Sequence, residues 1–212
     1  MENLSPGKAR FSNWTIIIVF GAVAVFLGIT ILINQLAGIP FDFFSRDPLS
    51  TFNAHPLTGI QSNLGILIWI CTAGICLFTG VVLHSRKIET TVFQFFLWSG
   101  FITLLLTLDD LFLIHEDLAY RYLEIGQKTI FALYVFLIGR YIFKFRKIIP
   151  HSDHFLFVLA LIFFGISEGI DLIEHYWISP WRIFFEDGFK LFGIVSWSIY
   201  LIRECFRFIT TS

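Results

Sequence analysis

Apolar residues come in six runs along the chain, over residues 14–34, 63–83, 91–114, 125–143, 155–176 and 183–202. A bilayer core about 30 Å thick takes about 20 helical residues at about 1.5 Å of rise each, so every run predicts a transmembrane helix. Backbone amides in lipid must find partners within their own segment, which leaves helices joined by short polar turns. The fold class predicted is all-α: a polytopic integral membrane helical bundle of six spans, with residues 1–212 forming a single membrane domain.

Ala22, Val23 and Ala24 imitate a signal-peptidase site, but apolar sequence continues well past them, so the first span is expected to stay uncleaved. Residues 36–60 hold three of the six prolines and predict a loop. Its Phe41, Phe43 and Phe44 suit a short segment at headgroup depth.

Polar residues inside the runs are not scattered. On the third, Ser99, Thr103, Thr107 and Asp110 recur at helical spacing and form one stripe, which should face protein or water rather than lipid. On the fifth, Glu168, Asp171 and His175 share a stripe, and Gly165 with Gly169 make a GxxxG pair suited to close helix approach beside Glu168. On the sixth, Glu186, Lys190, Gly193 and Trp197 share a face, with Glu186 and Lys190 in the favourable order for an ion pair.

Composition agrees with the pattern. Hydrophobic residues make 56% and charged residues 15% of the chain, against about 45–50% and about 25% in soluble domains, which excludes a water-soluble domain. No basic tail points to nucleic acid. Cys71, Cys76 and Cys205 lie in or beside apolar runs without a CxxC pair, so packing is their expected role.

Charge becomes informative once it is divided between the two sides that six spans create. One side receives ten bases and four acids, the other five bases and twelve acids. By the positive-inside rule the basic side is cytoplasmic and carries both termini, and the plasma membrane is the expected location. The acids therefore gather on the outer face. Counting along the helices sets Glu168 and Lys190 level, roughly 10 Å beneath the outer boundary. Asp109, Asp110, Asp171 and Glu186 come nearer that boundary, with His115, Glu116 and His175 at it.

Ionisable groups at such depth are costly and usually mark function. Carboxylates with imidazole suit a divalent metal (Zn, Mn, Fe or Ca), although no HExxH motif or paired Glu-x-x-His motif is present. The leading expectation is a metal-dependent membrane enzyme, a hydrolase or lipid-modifying enzyme at the outer interface. Asp110, His115, Asp171 and His175 would be ligands, with Asp109 and Glu116 as secondary candidates. Glu168 or Glu186 would act as base on metal-bound water, and Lys190 would stabilise developing negative charge. Membrane lipid is the expected surrounding partner, and a lipid or small molecule the substrate.

Two other readings stand beside it. One is a proton- or cation-coupled transporter in which Glu168 and Lys190 exchange partners; against it, the sixth run offers only Gly193, Ser196 and Ser198 below Lys190, and no internal repeat is evident. The other is a non-catalytic assembly or sensor subunit.

Overall fold

The structure, a computed structural model, describes residues 13–46, 48–149, 152–173, 176 and 178–211. All regular structure among them is helical. The chain divides into two compact units, residues 1–58 and 59–212.

The first unit contains α1 (Asn13–Ala37), α2 (Phe41–Ser45) and α3 (Pro48–Thr51). Gly38 stops α1: it takes the left-handed conformation at φ 68°, and its amide still donates to Asn34 O at 2.9 Å. Pro40 follows and cannot continue the helix. The expected loop thus contains two short helices, and α2 carries Phe41, Phe43 and Phe44 on the surface.

The second unit is built from α4 (Ile60–Ser85), α5 (Thr90–Phe112), α6 (Ala119–Leu123), α7 (Gln127–Lys144), α8 (His154–Leu172) and α9 (Pro180–Thr211), with a π-helical turn at Ile114–Leu118. Four helices hold windows long and apolar enough to cross a membrane: Phe20–Ala37, Ile60–Ser85, Thr90–Phe112 and His154–Leu172. This marks a membrane protein. Helices also occupy the fourth and sixth predicted runs, but they carry more charge, with Lys128, Arg140 and Lys144 on α7 and Arg182, Glu186, Asp187 and Lys190 early in α9.

Helix α4 packs chiefly on α5 and α9, and α8 on α9. Close approach depends on glycines. A β-carbon on Gly80 would lie 2.7 Å from Leu97, and one on Gly100 would meet Leu77 at 2.7 Å and the Ala73 carbonyl at 3.1 Å. These two positions lock α4 against α5 in the manner of small-residue membrane interfaces. The GxxxG pair expected to do this beside Glu168 does not: no atom of another described helix lies within 4 Å of a β-carbon on Gly165 or Gly169. The motif fixes spacing along one helix and carries no information about what lies opposite.

Aromatic rings fill the core of this unit. Phe95 meets Phe96 at 5.1 Å, Phe145 at 5.4 Å and Tyr141 at 5.8 Å between ring centres, which ties α7 to α5. Cys76 and Cys205 are buried in contact between α4 and α9, with sulfurs 3.9 Å apart, while Cys71 is exposed.

Gly100→Val should therefore destabilise the protein by about 1–3 kcal/mol through overpacking. Gly165→Val, where a β-carbon meets no described neighbour, should change stability by less than about 0.5 kcal/mol. Thermal melts of the two variants in one detergent check the contrast.

Candidate functional site

The site begins where α5 breaks. Leu113 adopts φ 50° and ψ 45°, a left-handed conformation that a bulky side chain seldom takes. Its amide still bonds to Asp109 O, and the chain resumes as the π turn, with Leu118 N bonded to Leu113 O at 3.1 Å. The break carries His115 back over the last turn of α5. Asp109 then holds it twice, accepting from the His115 amide at 3.0 Å and meeting His115 Nδ1 at 2.6 Å. Strain of this kind persists only where surrounding contacts impose it, and Asp109 supplies them.

Asp110, the next residue, points to other helices. Its carboxylate pairs with Lys190 of α9 and receives a weak contact from Ser62 Oγ of α4 at 3.5 Å. Only 5% of Asp109 and 7% of Asp110 is exposed. Carboxylates buried so deeply need partners with charge or hydrogen bonds: Asp109 has the amide and ring of His115, and Asp110 has the Lys190 ammonium.

Between these groups lies a chamber of about 50 Å³, lined by Trp69 of α4, Leu106, Asp109 and Asp110 of α5, His115, Phe131 and Tyr134 of α7, Glu168 of α8 and Lys190 of α9. The Tyr134 phenol stands beside Asp109, and the His115 ring meets Phe131 edge-on at 5.8 Å. Glu168 is half-buried, and no described residue makes a hydrogen bond to its carboxylate.

Of the residues singled out from sequence, Asp109, Asp110, His115, Glu168 and Lys190 come together. Asp171 and Glu186 do not line the chamber. Asp171 accepts from Gln127 Nε2 at 2.9 Å, joining α8 to the start of α7. Glu186 pairs with Arg182 at 2.5 Å, and its backbone carbonyl accepts from Ser167 Oγ at 2.9 Å. His175 and the side chain of Glu116 lie outside the described residues.

The expected ion pair of Glu186 with Lys190 is thus replaced by two others. Lys190 turns inward to the buried Asp110, and Glu186 takes Arg182 one turn earlier. A buried carboxylate has more to gain from an ammonium than one that is partly wetted. Among the described residues, no group of three or more His, Cys, Asp or Glu side chains is gathered closely enough to hold a metal ion.

A family profile described as a domain of unknown function, DUF8692, matches residues 16–203. The chain belongs to this family. No curated protein and no solved structure matches it.

The buried polar line of this DUF8692 domain continues beyond the chamber. Ser99, Thr103 and Thr107 are all buried, as their stripe predicts. Each hydroxyl donates to the carbonyl one turn back, at 2.6–2.8 Å. Two aromatic side chains join them: Trp197 Nε1 donates to Thr103 Oγ1 at 2.9 Å, and the Ser99 and Tyr141 hydroxyls meet at 2.8 Å. Further along α9, the Tyr200 hydroxyl meets Ser152 Oγ at 3.1 Å, and the buried Glu204 accepts from the Asp153 amide at 3.3 Å and pairs with Arg207. A wider polar cavity of about 470 Å³, lined by Ser152, Asp153, Arg203, Glu204 and Arg207, opens there.

Sequence reasoning missed Trp69, Tyr134 and Ser62. Trp69 left one usable signal: a tryptophan deep in an apolar run, away from the interface belt such residues favour, needs a partner for its N–H. Tyr134 and Ser62 left none, since single hydroxyls are common in membrane helices.

Asp109→Ala should release both bonds to His115. We expect a stability loss of about 1.5–3 kcal/mol, the range for a hydrogen bond to a charged group. Hydrogen–deuterium exchange should quicken across residues 114–118 while the amides of α4 stay protected.

Proposed function

We propose that this protein is a proton-coupled membrane carrier, and that Glu168 takes up and releases the proton within the chamber it shares with Asp110 and Lys190. The observation that carries this reading is the contrast among three carboxylates in one small space. Asp109 and Asp110 are held by His115 and Lys190, whereas Glu168 has no hydrogen bond from a described residue. A half-buried carboxyl without such a bond, near an ammonium and an imidazole, is suited to changing its proton state as its surroundings change.

The buried hydroxyls support the same reading. The sixth run alone offers little below Lys190, but α5 supplies Thr107, Thr103 and Ser99, and Tyr141 and Tyr200 continue toward Glu204. Glu204 lies fourteen positions after Lys190 on α9, roughly 21 Å of helix, which is most of a bilayer core. In this reading all six long helices cross the plasma membrane, both termini are cytoplasmic, and the chamber lies toward the outer side. Charge on α7 and α9 is tolerable where it faces the bundle or the interface.

A divalent metal is a second reading, and one contact favours it. Asp109 against His115 Nδ1 resembles the carboxylate–imidazole arrangement that orients a ligating histidine through its other nitrogen. Asp110 of the same chamber would be a further ligand, with Glu168 as base and Lys190 as charge stabiliser in a hydrolase or lipid-modifying enzyme, whereas Asp171 and Glu186 are bonded to Gln127 and Arg182 outside it. Stoichiometric metal in purified protein, lost in His115→Ala, would favour it.

The carrier reading is tested in proteoliposomes containing a pH-sensitive dye, under a proton gradient and with a panel of small solutes. Wild-type protein should give solute-dependent acidification of the lumen. Glu168→Gln, which cannot exchange a proton, should reduce it at least about tenfold, the equivalent of about 1.4 kcal/mol. Equal fluxes in the two proteins would remove Glu168 from the mechanism.

A further inference from the structure

Trp69 and Trp197 are equally buried, each 4% exposed, and they differ in one respect. Trp197 Nε1 donates to Thr103 Oγ1, whereas no described residue accepts a hydrogen bond from Trp69 Nε1. Trp69 is packed against Phe164 of α8, 5.8 Å between ring centres, and lines the chamber with Glu168. A buried N–H without an acceptor costs about 1–3 kcal/mol, so its persistence in the wall of a polar chamber calls for an occupant.

The chamber limits what that occupant can be. Trp69 needs an acceptor, which a bare cation is not. An anion would lie against the carboxylates of Asp109 and Asp110, and the Lys190 ammonium is already paired with Asp110. The cavity, about 50 Å³, is too small for a lipid headgroup or a metabolite. A water molecule takes up about 30 Å³ in the liquid, and it both accepts and donates.

We infer that the chamber is a water-binding site, in which a bound water accepts the Trp69 Nε1 hydrogen bond and donates to the Glu168 carboxylate. Trp69 is then a positioning residue: it fixes the water that gives Glu168 a hydrogen-bonded contact. Such a water has at least two polar partners, in keeping with the two to four usual for buried water. The site uses the chamber of the proposed carrier but does not depend on transport, so the two proposals fail separately.

Infrared difference spectra between the wild-type protein and Trp69→Phe, both in lipid, isolate the Trp69 indole N–H stretch. We expect that band at the lowered frequency of a hydrogen-bonded indole. We also expect a water O–H band, lost in Trp69→Phe, that shifts when ordinary water is replaced by heavy-oxygen water. An N–H stretch at the frequency of a free indole overturns the proposal. A hydrogen-bonded stretch with no oxygen-sensitive water band overturns water as the occupant. In Glu168→Leu, which keeps Trp69, the water band should shift or disappear. A band unchanged in that variant overturns the bridge to Glu168, and none of these spectra depends on solute flux.

Discussion

Opposite charges buried among apolar helices must find each other, and here Asp110 and Lys190 do so across α5 and α9. Removing two ions from water is expensive, and their attraction offsets that cost only in good geometry with further hydrogen bonds. Ser62 approaches the second oxygen of Asp110 and so involves α4. Three helices are thereby referred to one carboxylate. Asp109, its neighbour, faces a different element and holds His115, so two adjacent aspartates organise both sides of one chamber.

That arrangement needs helices close enough to seal it. Gly80 and Gly100 bring α4 and α5 together. Gly193, one turn below Lys190, leaves room for the ring of Phe164, which a β-carbon there would meet at 2.7 Å. Below the chamber the packing turns aromatic, yet a buried line of hydroxyls persists through Thr103, Ser99 and Tyr141. Each hydroxyl satisfies a backbone carbonyl or a neighbouring side chain, so the line adds polarity to the core without leaving many groups unpaired. The bundle thus combines an apolar exterior with a buried polar seam.

Much of the architecture was legible in the order of apolar and polar residues. Each of the six predicted runs holds a helix, and four of these helices are long and apolar enough to cross a membrane, because run length and the demands of backbone hydrogen bonding leave few alternatives. The stripe from Ser99 to Asp110 is buried as its spacing implies. Charge distribution also pointed to Asp110, Glu168 and Lys190 as neighbours although they lie on separate helices. Partner choice was not legible. Helical spacing favoured Glu186 for Lys190, and only the packing of α5 against α9 reveals the more deeply buried Asp110. Nor does any residue pattern announce the left-handed turn at Leu113, since leucine ordinarily continues a helix. Without that turn His115 would stand at the end of α5 rather than over Asp109.

The most direct test of the account is a double-mutant cycle on the buried pair, using Asp110→Asn, Lys190→Met and the combination, with stability measured by denaturation in one detergent. Lys190→Met leaves the buried Asp110 carboxylate unpaired and should lose about 3–5 kcal/mol, while Asp110→Asn, which leaves a partly exposed Lys190 beside Glu168, should lose less. The double variant should lose less than the sum of the two, by about 0.5–3 kcal/mol or more, as expected for groups in contact. Losses that simply add would contradict the account, because they would mean that the two charges do not hold α5 to α9.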